Sequence, residues 1–308
     1  MLHQELEDEI DRLRLVHPHL EKLLSAFGPL LVEKERWLSE IAVGDEGIAV
    51  NVSQLAEGIP VSRQHQLFSM EDPWASASWS VAGAIKAGFP HLERDIAVLL
   101  PRVTAKRVEF FAEFMTNTTQ TAGQIAVRAA MLDISPISLY LFLRHLYNFM
   151  LGKKARDIPL HLPVEAWLKG YCPFCGSLPH MALLGEGGLR SLQCGDCGNT
   201  WQFTRLACPC CSHVDSGKNQ IVYLEGEKDI FAVICATCGR YLLTVSHPAR
   251  FTLSHPQLIA LCLVPLDCIV QGKGYLPMAE YEWNILDILG WGTGAMPYKN
   301  GAQAAFTG

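Results

Sequence analysis

The sequence predicts an α+β fold: an N-terminal all-α helical bundle, then small cysteine-rich β units, then a C-terminal helical segment. Two observations carry this prediction. Apolar residues recur at helical spacing through most of residues 5–151. Four Cys-x-x-Cys pairs then fall between Tyr171 and Tyr241, among short segments rich in β-branched and aromatic residues.

Length and composition indicate a globular protein of about two domains. The chain has 308 residues, of which 49% are hydrophobic and 18% charged, and its net charge is −6. The acidic balance and the lack of a basic stripe argue against a nucleic-acid partner. We predict a division into an α-helical domain, two metal ribbons (about 170–204 and 205–248) and a C-terminal helical segment with its tail, at 1–166, 167–250 and 251–308.

The spacing of apolar residues in the N-terminal half predicts a series of helices. We predict a helical run over 5–26 that breaks at Pro18, and a separate helix over 29–42 that starts at Pro29. A mixed connection across the helical body follows over 43–73. Further helices are predicted over 74–87, 91–99, 103–117, 120–132 and 136–151. The last is apolar nearly all round, which predicts a central place in the bundle with His145 as a core or boundary residue.

No part of the sequence predicts export or membrane insertion. The first ten residues are acidic and lack the apolar core of a signal peptide. The most apolar stretch, 134–151, contains Arg144 and His145, so a core helix is the better interpretation than a membrane span. Free thiols and metal thiolates persist in the cytoplasm, which is where we expect the protein to act.

The cysteine-rich region predicts strands between its Cys-x-x-Cys pairs. They fall at 191–193, 200–204, 220–224, 230–234 and 240–245, with hairpin turns at 185–188 and 225–229. Beyond them, the apolar stretch 258–270 holds Cys262 and Cys268, which we interpret as small buried hydrophobic residues. We predict a last amphipathic helix over 278–290 and a frayed tail over 292–308.

The cysteine pairs form two tandem units, each with the four sulfurs that a tetrahedral metal site needs. Glycine follows the second cysteine of three pairs and tolerates a positive φ angle. We call each Cys-x-x-Cys pair with its turn a knuckle. Such knuckles are typical of zinc ribbons and rubredoxins, and four thiolates suit zinc or iron. The predicted ligands are Cys172, Cys175, Cys194 and Cys197 in the first unit, and Cys208, Cys211, Cys235 and Cys238 in the second.

Other readings of these cysteines are weaker. Eight cysteines in four regular pairs are an unusual pattern for buried structural thiols, and disulfides do not fit a chain without an export signal. Cys210 adds a third thiol to its knuckle, although the spacing favours Cys208 and Cys211. His180 and His213 follow knuckles closely and could replace a ligand, but we expect them to be solvated or to support the ligands.

No motif in the sequence predicts catalysis. It contains no Gly-rich phosphate loop, nucleophile elbow or His-Glu-x-x-His. A closed four-sulfur site also keeps no open position for a substrate. The residues alone therefore favour a metal-stabilised binding module over an enzyme.

The four knuckles in this order resemble those of the FdhE family, the bacterial formate dehydrogenase accessory proteins. The matching segments are Gly170–Pro179, Leu192–Cys197 with Trp201 after it, Cys208–Cys211, and Cys235–Leu242. The resemblance implies a cytoplasmic maturation factor, not an enzyme, that associates with the catalytic subunit of formate dehydrogenase before the holoenzyme is assembled. It also implies two metal ions per chain, with iron bound as in rubredoxin favoured over zinc.

Two alternatives remain open from the sequence. One is a zinc-ribbon interaction module that serves another client. The other is a thiol-dependent enzyme that acts on a client by sulfur transfer or disulfide reduction, with the knuckle around Cys210 as its candidate centre. A count of reactive thiols in the metal-loaded protein separates the second alternative from a structural role.

Overall fold

The computed structural model describes residues 2–41, 48–105, 122–158, 160, 167–214, 217, 219–224, 226–246, 255–281, 283–284 and 304–307. The chain divides into two compact units. Unit 1 comprises 1–46, 67–157 and 286–291, and unit 2 comprises 47–66, 158–285 and 292–308. The helix predicted over 103–117 and the one predicted over 278–290 fall largely outside the described residues.

Unit 1 is helical. Its helices are α1 (Leu2–Val16), α2 (Glu21–Glu40), α5 (Trp74–Gly88), α6 (Glu93–Ala105), α7 (Ala122–Leu132) and α8 (Pro136–Asp157). The short helices α3 (Val52–Ala56) and α4 (Val61–Gln64) belong to unit 2. The predicted break at Pro18 is present as a short 3-10 turn before α2. The predicted start of a helix at Pro29 is wrong, because α2 continues through this residue. Buried side chains of α2 lie on both sides of Pro29. Their packing stabilises the helix by more than it loses through the backbone hydrogen bond that proline cannot donate.

The central place predicted for α8 is confirmed. Leu141, Phe142, Leu146 and Phe149 are fully buried on it, and the helix packs against α2 and α5. Near its end, Lys154 Nζ lies 2.8 Å from Asp72 Oδ1, and both side chains are 3% exposed or less. Within the described residues no single helix is long and apolar enough to cross a membrane; only the bent pair of α7 and α8 passes by length and composition.

Unit 2 is built on one mixed β-sheet. Its strands are β1 (Pro179–Leu184), β2 (Arg190–Cys194), β3 (Thr200–Gln202), β4 (Gln220–Leu224), β5 (Glu227–Ile234), β6 (Arg240–Ser246), β7 (Leu276–Pro277) and β8 (Ala304–Thr307). The order is β3-β2-β1-β6-β5-β4-β8, with β7 beside β6. The five predicted strands are confirmed as β2 to β6. The tail predicted to fray instead contributes β8, which pairs antiparallel with β4.

Strand β1, which no sequence pattern predicted, joins the two ribbons. It pairs antiparallel with β2 and parallel with β6, where Met181 faces Leu243. The two predicted tandem ribbons therefore share one continuous sheet. The α+β fold class is confirmed.

Over β4 and β5 the two faces of this sheet differ in burial. Val222, Ala232 and Val245 are fully buried on the face that packs against α10 (Val264–Gly272). This helix follows α9 (Pro256–Cys262), so the predicted apolar stretch forms two short helices. The other face carries Tyr223 and Phe231, which are only half-buried. Cys262 and Cys268 are half-buried as well, and so less enclosed than predicted.

Candidate metal centres

The four knuckles share one backbone geometry. In each, the N–H of the first cysteine donates to the carbonyl five residues later, at 2.8 Å for Cys172 and Cys208 and at 2.9 Å for Cys194 and Cys235. The residue after the second cysteine always has a positive φ: 82° at Gly176, 78° at Gly198, 59° at Ser212 and 68° at Gly239. This turn brings both sulfurs of a knuckle to the same side of the chain.

The first group of four thiols is enclosed. Cys172 Sγ lies 3.5 Å from Cys197 Sγ, and Cys175 Sγ lies 3.4 Å from Cys194 Sγ. Three of the four side chains are buried, and Cys175 is half-buried. The Asn199 side-chain amide approaches Cys172 Sγ at 3.8 Å.

The second group is more open. Cys208 Sγ lies 3.8 Å from Cys238 Sγ, and Cys211 Sγ lies 3.7 Å from Cys235 Sγ. Cys208 and Cys235 are buried, Cys238 is half-buried, and Cys211 is exposed. The two groups are therefore alike in geometry and unlike in their access to solvent.

Both groups fit a tetrahedral metal ion. A disulfide would bring two sulfurs to about 2.05 Å, much closer than any of these pairs. Four sulfurs at about 2.3 Å from one ion lie roughly 3.8 Å apart. The measured separations of 3.4 to 3.8 Å are close to this value, and all four ligand atoms of each group lie within 4.8 Å of one another. Each group could therefore hold one ion, which gives two per chain.

The electrostatics of the knuckles favour thiolate at selected positions. Hydrogen bonds from Cys172, Cys194 and Cys197 hold the pKa of Cys175 well below its usual value. Burial raises the pKa of Cys235, but the backbone N–H groups of Cys238 and Thr237 outweigh it and lower that pKa to about 7. Thiolate is the form that binds metal, so these amides favour the ligand form of Cys235, whereas burial raises the pKa of Cys208 and of Cys211.

The structure brings the eight predicted ligands together and leaves the three other candidates out. Among the described residues, neither four-thiol group includes Cys210, His180 or His213. The His180 ring lies 6.0 Å from the ring of Tyr281, whose hydroxyl donates to the His180 carbonyl. The His213 carbonyl accepts the N–H of Cys208, while its side chain is exposed.

Sequence reasoning missed the segment that packs on the first knuckle. It assigned residues 43–73 to a connection across the helical body. Instead, Val61 and Ser62, at the start of α4 (Val61–Gln64), donate their backbone N–H groups to the carbonyls of Pro173 and Phe174 at 3.0 and 2.9 Å. The Ser62 hydroxyl also donates to the Cys175 carbonyl at 3.1 Å. More than 100 residues separate these partners, so no local pattern could have revealed the contact.

Two buried charges beside the sheet were also missed. Arg190 is 8% exposed and donates to the Ala207 carbonyl at 3.0 Å. Burial lowers its pKa to about 10, and the charge of Cys208 opposes this shift. Asp267 is fully buried and accepts hydrogen bonds from Trp283 at 2.8 Å and from Gln271 at 2.7 Å, as well as from the Tyr241 hydroxyl.

Comparison with known proteins finds sequence relatives that are named FdhE. No protein-family model matches the sequence. A protein FdhE homolog of Aquifex aeolicus is 28% identical over 117 residues, which cover 36% of this chain and 41% of the relative. A homolog of Serratia proteamaculans is 26% identical over 184 residues, covering 57% and 54%. Protein FdhE of Escherichia coli is 28% identical over 161 residues, covering 48% and 49%.

A solved structure extends the likeness along most of the chain. The crystal structure of the FdhE protein from Pseudomonas aeruginosa matches with a TM-score of 0.56 and 18% identity, over 91% of this chain and 94% of that one. The predicted resemblance to FdhE is confirmed. At this identity the FdhE crystal structure shows a shared fold alone. In sequence, this FdhE-like chain spans about half the length of the curated relatives it matches.

Proposed function

We propose that this FdhE-like chain is a cytoplasmic accessory factor for formate dehydrogenase, which binds the catalytic subunit of that enzyme before the holoenzyme is assembled. The observation that carries the proposal is the pair of four-thiol groups on one sheet within an FdhE-like fold. Such a sheet offers a rigid surface, and rigidity lowers the entropic cost of binding a partner.

The eight cysteines are the proposed ligands of two ions, with iron favoured over zinc. Both metals suit four thiolates in a tetrahedron, and the preference for iron rests on the resemblance to the family. When bound, each ion supplies a cross-link between two knuckles. The backbone hydrogen bonds of the knuckles position the thiols. The lowered pKa values of Cys175 and Cys235 favour the thiolate form of these two side chains.

The proposed role is binding and not catalysis. Four protein ligands complete a tetrahedral ion and leave no position for a substrate. The alternative of a thiol-dependent enzyme requires reactive sulfur in the metal-loaded protein. Cys210 is the candidate for that chemistry, because it is half-buried beside the second group and belongs to neither group.

A thiol count separates these two functions. The eleven cysteines less the eight proposed ligands leave three, namely Cys210, Cys262 and Cys268. Anaerobically purified protein should therefore titrate at most three thiols with a chromogenic disulfide reagent, and all eleven after denaturation with a chelator. More than three reactive thiols in protein that carries two ions would favour the enzyme.

The accessory role itself is tested by binding. The catalytic subunit of formate dehydrogenase from the same organism should bind the metal-loaded chain in solution. A Cys210→Ser variant is the matched control, since it changes a thiol in the same knuckle without removing a proposed ligand. Absence of binding by the metal-loaded wild type would refute the proposal.

A further inference from the structure

Unit 2 contains a cavity of about 270 Å³ on the face of the sheet opposite α10. Side chains of β4 and β5 form its apolar floor, since residues at every second position of a strand share one face. Tyr223 and Phe231 lie opposite each other there, with ring centroids 5.4 Å apart. Both are half-buried, so this floor is open enough to meet another molecule.

Two guanidinium groups line the same cavity. Arg205 is exposed, whereas Arg190 is 92% enclosed. Arg190 uses one nitrogen, Nη1, to donate to the carbonyls of Ala207 and Arg205. Its Nε and Nη2 donors meet no acceptor within the described part of the chain. Neither atom is among the buried atoms without a partner, so both are accessible to solvent and can donate to a ligand.

One wall of the cavity belongs to the second metal centre. Cys208 and Cys235 are both part of the lining, together with Pro209. Gly170 packs directly behind this wall, because a Cβ built on it would lie 2.0 Å from the Pro209 carbonyl oxygen. The second knuckle pair and this close approach therefore hold the cavity in shape before any ligand arrives.

We propose that this cavity is the client-docking site of the accessory factor, and that it takes one apolar side chain of the partner together with a neighbouring carboxylate. The apolar side chain packs on Tyr223 and Phe231, and the carboxylate pairs with Arg205 and the free donors of Arg190. This inference rests on the proposed function. The cavity lining holds two guanidinium groups and no Asp or Glu side chain, so a carboxylate of the partner finds cationic donors there although the whole chain carries a net charge of −6.

The test measures binding of the isolated formate dehydrogenase catalytic subunit to the metal-loaded full chain. Tyr223→Ser removes one of the two aromatic rings of the apolar floor, and we expect the Kd to rise at least tenfold. Arg205→Gln and Arg205→Glu form a charge series in which the reversal weakens binding more than the neutral change. All variants should keep two ions and a cooperative thermal transition, which shows that the sheet is intact. Only Tyr223→Ser should lower the thermal midpoint, because it removes the ring that pairs with Phe231.

Two exposed residues of unit 1 provide matched controls. Trp79→Ser removes an aromatic side chain that is 64% exposed, and Arg94→Glu reverses a charge on a side chain that is 78% exposed. Both should bind the subunit within twofold of the wild type. If the wild type binds and the cavity variants bind equally well, the docking site is wrong while the accessory role stands. If the wild type does not bind, the accessory role itself fails.

Discussion

Gly198 allows the cost of the knuckle turn to be measured directly. Its φ is 78°, and a Cβ added there would meet no atom within 4 Å. The Gly198→Ala variant therefore adds no clash, only the left-handed backbone cost of about 1–2 kcal/mol for an L-residue. Alanine also restricts the unfolded chain, which returns about 0.4–1 kcal/mol. We expect a net loss of about 1 kcal/mol in the free energy of unfolding.

Ser212 offers the same test in reverse. It occupies the equivalent position of the third knuckle at a φ of 59° with an exposed side chain. Ser212→Gly removes the left-handed cost and gives the unfolded chain more freedom, so we expect a gain of about 0.5–1 kcal/mol. The two knuckles belong to different thiol groups, so the changes should be nearly additive. The double variant should then unfold close to the wild type.

The assay is equilibrium unfolding in urea of the metal-loaded protein, with the metal content measured before each titration. Gly83→Ala is the matched control, because its Cβ also meets open space but the residue lies within α5 at an ordinary helical φ. This control should be neutral or stabilising. Equal stability of the Gly198 and Gly83 variants would refute the reasoning from positive φ.

Three further predictions concern the ligands and the buried charges. Cys172→Ala should lower the metal content by one equivalent and destabilise unit 2, while Cys210→Ser keeps both ions by elemental analysis. Burial raises the pKa of Asp267. The contribution of this carboxyl group to stability is therefore fully present below the ordinary carboxyl pKa and is lost as the pH rises through the pKa of the folded protein. The unfolding free energy of the wild type relative to Asp267→Asn should fall with rising pH. Asp72→Asn leaves Lys154 buried without its partner charge and should cost about 3–5 kcal/mol in thermal unfolding. The apolar pair Asp72→Leu with Lys154→Met should recover part of this loss, because it removes the buried charge but also the acceptor of the Ser69 N–H.

The features that could be predicted from the sequence are those with a local pattern. The eight clustered thiols followed from pair spacing, and strands such as β4 from their β-branched residues. The predicted helix start at Pro29 was wrong because proline usually ends a helix, but the buried face of α2 continues on both sides of Pro29. The strand β1 was missed because its pairing with β6 depends on residues about 60 positions away.

The site shows the same division between local and distant causes. Knuckle geometry is short-range, so the composition of both thiol groups was predictable from neighbours in sequence. Arg190 becomes a cavity residue only because β2 lies in the same sheet as β4 and β5, a relation that no stretch of its own sequence encodes. The packing of Val61 and Ser62 on the first knuckle likewise depends on a contact between distant parts of the chain.

The parallel pairing of β1 with β6 has a consequence for how unit 2 is made. The backbone hydrogen bonds between β1 and β6 can form only after Ser246 has been synthesised. Until then, β1 in the first ribbon is an unpaired edge strand, which favours aggregation. Loading of the first group with metal during this interval would protect the nascent chain. In the complete chain we expect the two ribbons to unfold in one cooperative transition and not in two, because neither ribbon can unfold without breaking the β1–β6 pair that they share.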